Sequence, residues 1–352
     1  MRQPAHGGNL AWAAALAGCP PDAILDFSAS ISPLGPPNSA IAAIKSQIGN
    51  LKHYPDPNYS ELRLALSHFH QLPSEWILPG NGSAELLTLI GRELAQLAAT
   101  ILITPAFGDY YRTLAAYNAN VLECPLSLVT GHWSLFLDKG QRTKDKGLLL
   151  NNPHNPTGKL FTRDSILPYV EQFALVVVDE AFMDFVPPNE EQSLIPVVQE
   201  YPNLVVLRSL TKFYSLPGLR LGYAIAHPDC LAKWQLWRDP WPVNTLAAVA
   251  AIAALQDTEF QQQTWAWLPP ARNQLFQGLA EIPGLQPQAS AANFLLVESQ
   301  ESTSQLQQQL LKYHQILIRD CLSFKELGDR FFRVAVREES DNQRLLTALK
   351  ES

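Results

Sequence analysis

The sequence predicts a two-part α/β fold, a largely parallel sheet followed by a smaller α+β unit, and three observations carry that prediction. Between about Thr100 and His227, short aliphatic runs alternate with amphipathic segments. The runs are continuously apolar, as strands covered on both faces must be. Several end in polar residues, at the carboxyl end where open α/β sheets bind their ligands. Beyond Pro269-Pro270 the pattern changes to strands and helices in mixed order.

The 352 residues, 47% hydrophobic and 17% charged, supply enough apolar surface for a substantial core. Basic residues number 26 against 33 acidic, a net charge of −7, with no Lys/Arg-rich run. Nucleic acid and anionic membranes therefore have little electrostatic foothold. Cys19, Cys124, Cys230 and Cys321 are scattered without C-x-x-C spacing, so neither a metal site nor a redox pair is expected. The N-terminus makes a poor signal peptide and no segment is long and apolar enough to span a bilayer, which predicts a cytoplasmic protein.

In chain order, residues 1–45 are proline-rich and loop-like, and read as an arm packing on the smaller unit. Residues 46–265 form the large domain. Its strands are expected at 100–105, 120–126, 147–153, 175–182, 204–212 and 221–227, and Leu231 to Gln256 as helix interrupted by Pro240 and Pro242. Residues 266–352 form the small domain. It should hold helices near Ala271 to Leu279 and Ser304 to Tyr313, strands at 292–298, 316–320 and 330–337, and a terminal helix.

Chemistry concentrates at strand ends. In Ser209-Leu210-Thr211-Lys212, followed by Gly218-Leu219-Arg220-Leu221-Gly222, one lysine stands among hydroxyls and an arginine. That suits an aldehyde cofactor bearing a phosphate: Lys212 forms a Schiff base, and Ser209, Thr211 and Arg220 donate to the phosphate. Asp179 ends the apolar run Leu175-Val176-Val177-Val178. A carboxylate there is costly unless it meets a cation such as a protonated pyridine nitrogen. Asn155, within Asn151-Asn152-Pro153-His154-Asn155-Pro156-Thr157-Gly158, can donate to a phenolic oxygen. Gly80-Asn81-Gly82-Ser83-Ala84-Glu85 opens an amphipathic helix, whose free N–H groups make an anion site, with Ser83 alternatively a helix cap. Phe107 is either a ring against the pyridine face or a core side chain. Arg319 and Arg333 lie amid apolar residues on expected strands, where a half-buried guanidinium needs an anion, from a ligand or from Asp320 or Glu338. Trp241 reads as core and His154 as a turn residue.

Together these motifs, from residue 80 to 222, resemble the fold-type I pyridoxal-phosphate enzymes, the aspartate aminotransferase superfamily. The resemblance implies a mostly parallel seven-stranded sheet in the large domain, pyridoxal 5′-phosphate as cofactor, and a catalytic set of Lys212, Asp179 and Asn155. It implies cofactor contacts from Gly82, Ser83, Ala84, Phe107, Ser209, Thr211 and Arg220. From His6 to the C-terminus the chain is similar to the branch holding histidinol-phosphate aminotransferases and the decarboxylases of L-threonine O-3-phosphate in cobalamin biosynthesis. The His6-Gly7-Gly8-Asn9 opening, Phe182 where the aminotransferases usually carry Tyr, and the Arg319/Arg333 pair favour the decarboxylases. In that resemblance Arg333 takes the α-carboxylate, Arg319 the phosphate, and His6 and Gly7 fold over the substrate. Ser30 replaces a substrate-contacting Asn, and Tyr54 reaches the neighbouring site of a homodimer. The implied reaction converts L-threonine O-3-phosphate to (R)-1-amino-2-propanol O-2-phosphate and CO2. The alternative is an aminotransferase for histidinol phosphate or an aromatic amino acid.

Overall fold

The structure, a computed structural model, describes residues 6–128 and 143–352. The arm is more regular than its prolines predict. It forms a helix, Leu10–Ala17, whose first turn is capped by Asn9 Oδ1 accepting from Trp12 N at 3.0 Å and whose end is closed by left-handed Gly18. A two-residue strand, β1 (Leu25–Asp26), and the helix Asn38–Gln47 follow.

Seven strands make the main sheet: β2 (Ile77–Asn81), β3 (Ala99–Thr104), β4 (Val121–Pro125), β5 (Lys146–Asn151), β6 (Leu175–Asp179), β7 (Leu204–Ser209) and β8 (Leu221–Ile225). Their spatial order is β2-β8-β7-β6-β5-β3-β4. Every pair from β4 across to β7 is parallel, while β8 runs antiparallel to both β7 and β2. The six aliphatic runs supply β3 to β8. The seventh strand, β2, carries Pro79 and Gly80, and its place at the sheet edge is where a proline is tolerated.

The inner strands are buried throughout, and successive side chains divide between two cores. Val176, Val178, Leu204 and Val206 face one, whereas Val177, Val205 and Leu207 face the other. Continuing that alternation, Asp179 and Ser209 share a face, and Glu180 and Arg208 share the opposite one. There Arg208 binds Glu180 Oε2 at 3.0 Å, Glu191 Oε1 at 2.5 Å and Asp184, locking the ends of β6 and β7 together.

A four-stranded antiparallel sheet follows, built from β9 (Leu285–Pro287), β10 (Phe294–Ser299), β12 (Arg319–Asp320) and β13 (Phe331–Ala335) in the order β12-β13-β10-β9; β11 (Ile316–Leu317) instead pairs in parallel with β1. The expected strand 316–320 therefore divides at Ile318, whose carbonyl accepts from Gln307 Nε2 at 2.7 Å. Through that division the arm is stitched to the small sheet. Pro269 and Pro270 lie inside one helix, Thr258–Ala280, held across them by buried Phe260, Leu268, Ala271 and Leu275. No helix among the described residues is long and apolar enough to cross a membrane.

Candidate active site

A cavity of about 330 Å3 opens where β5, β6 and β7 end and faces the arm and the small sheet. Asp179 closes it from beneath. Its Oδ1 accepts from Ala181 N at 3.0 Å and its Oδ2 from the Tyr110 hydroxyl at 2.7 Å. Burial nevertheless raises the carboxyl above its usual range. Lys212 follows β7 in a turn whose carbonyl accepts from Ser32 N at 3.0 Å. Burial, with Arg333 and Arg220 adding like charge, brings its amine down to about 8.

Donors gather on one side of this lysine. Ser209 and Thr211 hydroxyls lie 2.8 Å apart. Arg220 adopts a left-handed backbone (φ 58°) and donates to the Pro217 carbonyl at 3.2 Å. The helix Gly82–Leu94 begins opposite, and its N-cap residue is Asn81, not Ser83, so Ser83 and Ala84 offer first-turn N–H groups. Gly82 has φ 72°, and a Cβ there would sit 2.5 Å from Arg220 Nη2. A Cβ on Gly222 would come within 2.6 Å of Ser83 N. Two glycines thus allow arginine, hydroxyls and helix terminus to converge as a phosphate site demands.

The opposite wall is cationic. Arg319 and Arg333 are direct register partners across β12 and β13, which puts both guanidinium groups on one face. Both are buried. Arg333 Nη1 donates to Asn155 Oδ1, Nη2 to the Ser28 carbonyl at 3.4 Å, and its guanidinium lies 4.8 Å over the Phe294 ring. Its Nε is buried without a partner, Arg333 forms no ion pair among the described residues, and burial pulls it to about 10. Arg319 Nη2 donates to Ser323 Oγ at 2.6 Å. Ser30 Oγ is also buried and unpartnered at this cavity. His6 lies over Phe107, ring centroids 5.5 Å apart, and Gly7 packs so closely on Ser28 that a Cβ would meet its carbonyl at 2.3 Å.

His6, Gly7, Ser30, Ser83, Ala84, Phe107, Asn155, Asp179, Ser209, Thr211, Lys212, Arg220, Arg319 and Arg333 all line the cavity. Gly82 stands just behind, against Arg220. Tyr54 does not line this chain's cavity; it is 79% exposed and stacks on Trp241 at 4.6 Å. Trp241, read from sequence as core, is itself exposed, because the segment carrying it follows a helix that ends at Gln235 and projects Leu236 into solvent. His154 is a buried turn residue with Nδ1 2.8 Å from Thr157 Oγ1. Asn151, one of the polar strand ends, also lines the cavity, whereas sequence reasoning missed Tyr110, Ser28 and Ser323. Tyr110 had a signal: three residues past Phe107, it falls one helical turn on.

A mostly parallel seven-stranded sheet with a buried lysine and aspartate at its carboxyl edge, faced by a small sheet presenting two arginines, defines an aminotransferase-type fold. The family model described as aminotransferase class I and II matches residues 22–349, and the chain belongs to that family. It is 40% identical to the threonine-phosphate decarboxylase of Salmonella typhimurium, over 98% of this chain and 96% of that one. It is 33% identical to a histidinol-phosphate aminotransferase of Symbiobacterium thermophilum, over 91% and 88%. Among solved structures, histidinol-phosphate aminotransferase from Clostridium acetobutylicum superposes with a TM-score of 0.86 at 29% identity, covering 93% of this chain and 98% of that one.

Pyridoxal 5′-phosphate is the cofactor of this family, and the residues present fit it. The glycine-lined donor cluster suits its phosphate, Asp179 its ring nitrogen and Lys212 its aldehyde. Asn155 Oδ1 is engaged by Arg333, so its amide NH2 is turned to serve as a donor, and Phe182 beside it offers no hydroxyl.

Proposed function

We propose that this chain is a pyridoxal-phosphate-dependent decarboxylase acting on L-threonine O-3-phosphate to give (R)-1-amino-2-propanol O-2-phosphate and CO2, a step of cobalamin biosynthesis. The observation that carries the reading is the register pairing of Arg319 with Arg333. Two buried guanidinium groups share one face, Arg333 having no ion pair among the described residues, and a ligand with both carboxylate and phosphate matches that pair.

The cofactor, when bound, supplies an electrophilic aldehyde and an electron-withdrawing ring. The chain supplies the rest. Lys212 Nζ holds the cofactor and then carries a proton near the substrate's α-carbon. Asp179 holds a proton on the ring nitrogen, and Asn155 donates to the phenolic oxygen. Ser209, Thr211, Arg220 and the amides of Ser83 and Ala84 grip the cofactor phosphate, and Phe107 flanks the ring. Arg333 binds the α-carboxylate and Arg319 the substrate phosphate, fixing which α-carbon bond is presented for cleavage. Ser30 Oγ provides one more hydrogen-bonding group, and His6 and Gly7 cover the substrate against water. Tyr54 serves the site of a second copy in a homodimer. Its stacking on exposed Trp241, with Ile48, Leu51 and Leu236 also exposed, supports such an association.

The test is incubation with L-threonine O-3-phosphate, following CO2 and the phosphorylated amino alcohol with and without 2-oxoglutarate. Equal CO2 release in both is expected. Amino transfer that requires the keto acid would favour the aminotransferase reading, which the likeness to histidinol-phosphate aminotransferases keeps as the alternative.

A further inference from the structure

Asp179 is a carboxylate at the buried end of a strand, and something other than the cofactor must make that bearable while the cofactor is absent. The cationic groups of the site do not touch it. Its two oxygens are held by the Ala181 amide and by the Tyr110 hydroxyl. Tyr110 stands on the helix Gly108–Ala116, is buried against Leu87 and Leu114, and is braced edge-on by Phe107 at 5.6 Å. No other part of the reading above uses it.

We propose that Tyr110 is a positioning residue whose hydroxyl keeps Asp179 ionised and aimed into the cavity before the cofactor arrives. This rests on the pyridoxal-phosphate reading of the site. The phenol is suited to the task because it never surrenders its proton: burial and the neighbouring Asp179 hold it far above its usual range. It is a permanent donor, 2.7 Å from the carboxylate oxygen it stabilises against protonation. The other groups bearing on Asp179 are Lys212, which favours the anion, and Asp109, which opposes it, while Glu180 turns to Arg208 on the other face of the sheet. Take away the hydroxyl, and Asp179 gains a proton that a protonated pyridine must then expel on binding.

The experiment compares the full-length protein and Tyr110→Phe, both stripped of cofactor and titrated with pyridoxal 5′-phosphate by calorimetry in two buffers of different protonation enthalpy. Near neutral pH the variant should release up to about one more proton per site than the parent. Its Kd should be weaker by about tenfold near pH 6, with the gap closing as pH rises and Asp179 ionises unaided. In an Asp179→Asn background the same substitution should change neither quantity. Equal proton release and parallel Kd profiles overturn the proposal, as does a lower melting temperature with unchanged proton release, which would make Tyr110 a packing residue. Failure of the parent to bind the cofactor is a different result and removes the cofactor reading along with the proposal.

Discussion

The two walls of the cavity differ in how far along the chain their partners lie. On the sheet side, Asp179 is held by Ala181, two residues on, and by Tyr110 across 69 residues, and Ser209 meets Thr211, two residues on. On the small-sheet side, Arg333 reaches Asn155 and Ser28 across 178 and 305 residues. Their saturation differs as well. Both Asp179 oxygens have partners in the chain alone, whereas Arg333 Nε and Ser30 Oγ are buried with none. The first wall is set by local strand ends and is ready for a resident group. The second is assembled by the whole fold and is completed by what binds it, since Arg333 is a buried cation with no ion pair among the described residues.

The largest effects are expected on the sheet side. Lys212→Ala should abolish both borohydride-fixed attachment of pyridoxal 5′-phosphate and turnover; mass spectrometry locating the reduced adduct on another lysine would contradict it. Asp179→Ala should lower turnover by about three orders of magnitude while leaving far-UV circular dichroism unchanged, and a near-normal rate would make Asp179 structural. Next comes the rate at which cofactor attaches to the stripped protein. Attachment needs the neutral amine, and burial beside Arg333 and Arg220 places Lys212 at about 8. The rate should therefore climb about tenfold per pH unit below that value and level above it. An increase that continues to about pH 10 would mean an unperturbed lysine.

The smallest effect concerns His154, buried in the turn that carries Asn155. Burial pushes it down to about 4 from 6.5. Between those values the unfolded chain binds a proton that the folded one does not, so stability rises with pH across the window. Acidification from 6.5 toward 4 should cost up to about 3 kcal/mol. Urea unfolding at several pH values would show that slope reduced in His154→Asn.

This contrast also explains what could be read in the sequence. The sheet-side wall lies in contiguous motifs, because strand ends place neighbouring residues at the ligand, so Lys212, Asp179 and the glycine-flanked anion site were visible as short strings. Arg319 and Arg333 were visible as charges stranded on apolar strands, but their register pairing was not, since it depends on where residues 316–320 change sheets. Ser28 and Ser323 carried no pattern. Their importance lies in a backbone carbonyl under Arg333 and a hydroxyl on Arg319, contacts that depend on the folded backbone. Tyr110 looked like one more aromatic of an amphipathic helix. Tyr54 and Trp241 show the converse, since motif and hydrophobicity give no indication that they stack together on the surface.

The division of two anions of one ligand by the arginine wall is tested by KM for L-threonine O-3-phosphate and for L-threonine in Arg319→Ala and Arg333→Ala. Arg319→Ala should raise KM steeply for the phosphorylated substrate, about thirty- to a thousand-fold, and much less for threonine, which has no phosphate to lose. Arg333→Ala should harm both, since both carry the α-carboxylate. Equal penalties on the two substrates from Arg319→Ala would contradict the division and show both guanidinium groups clamping one carboxylate.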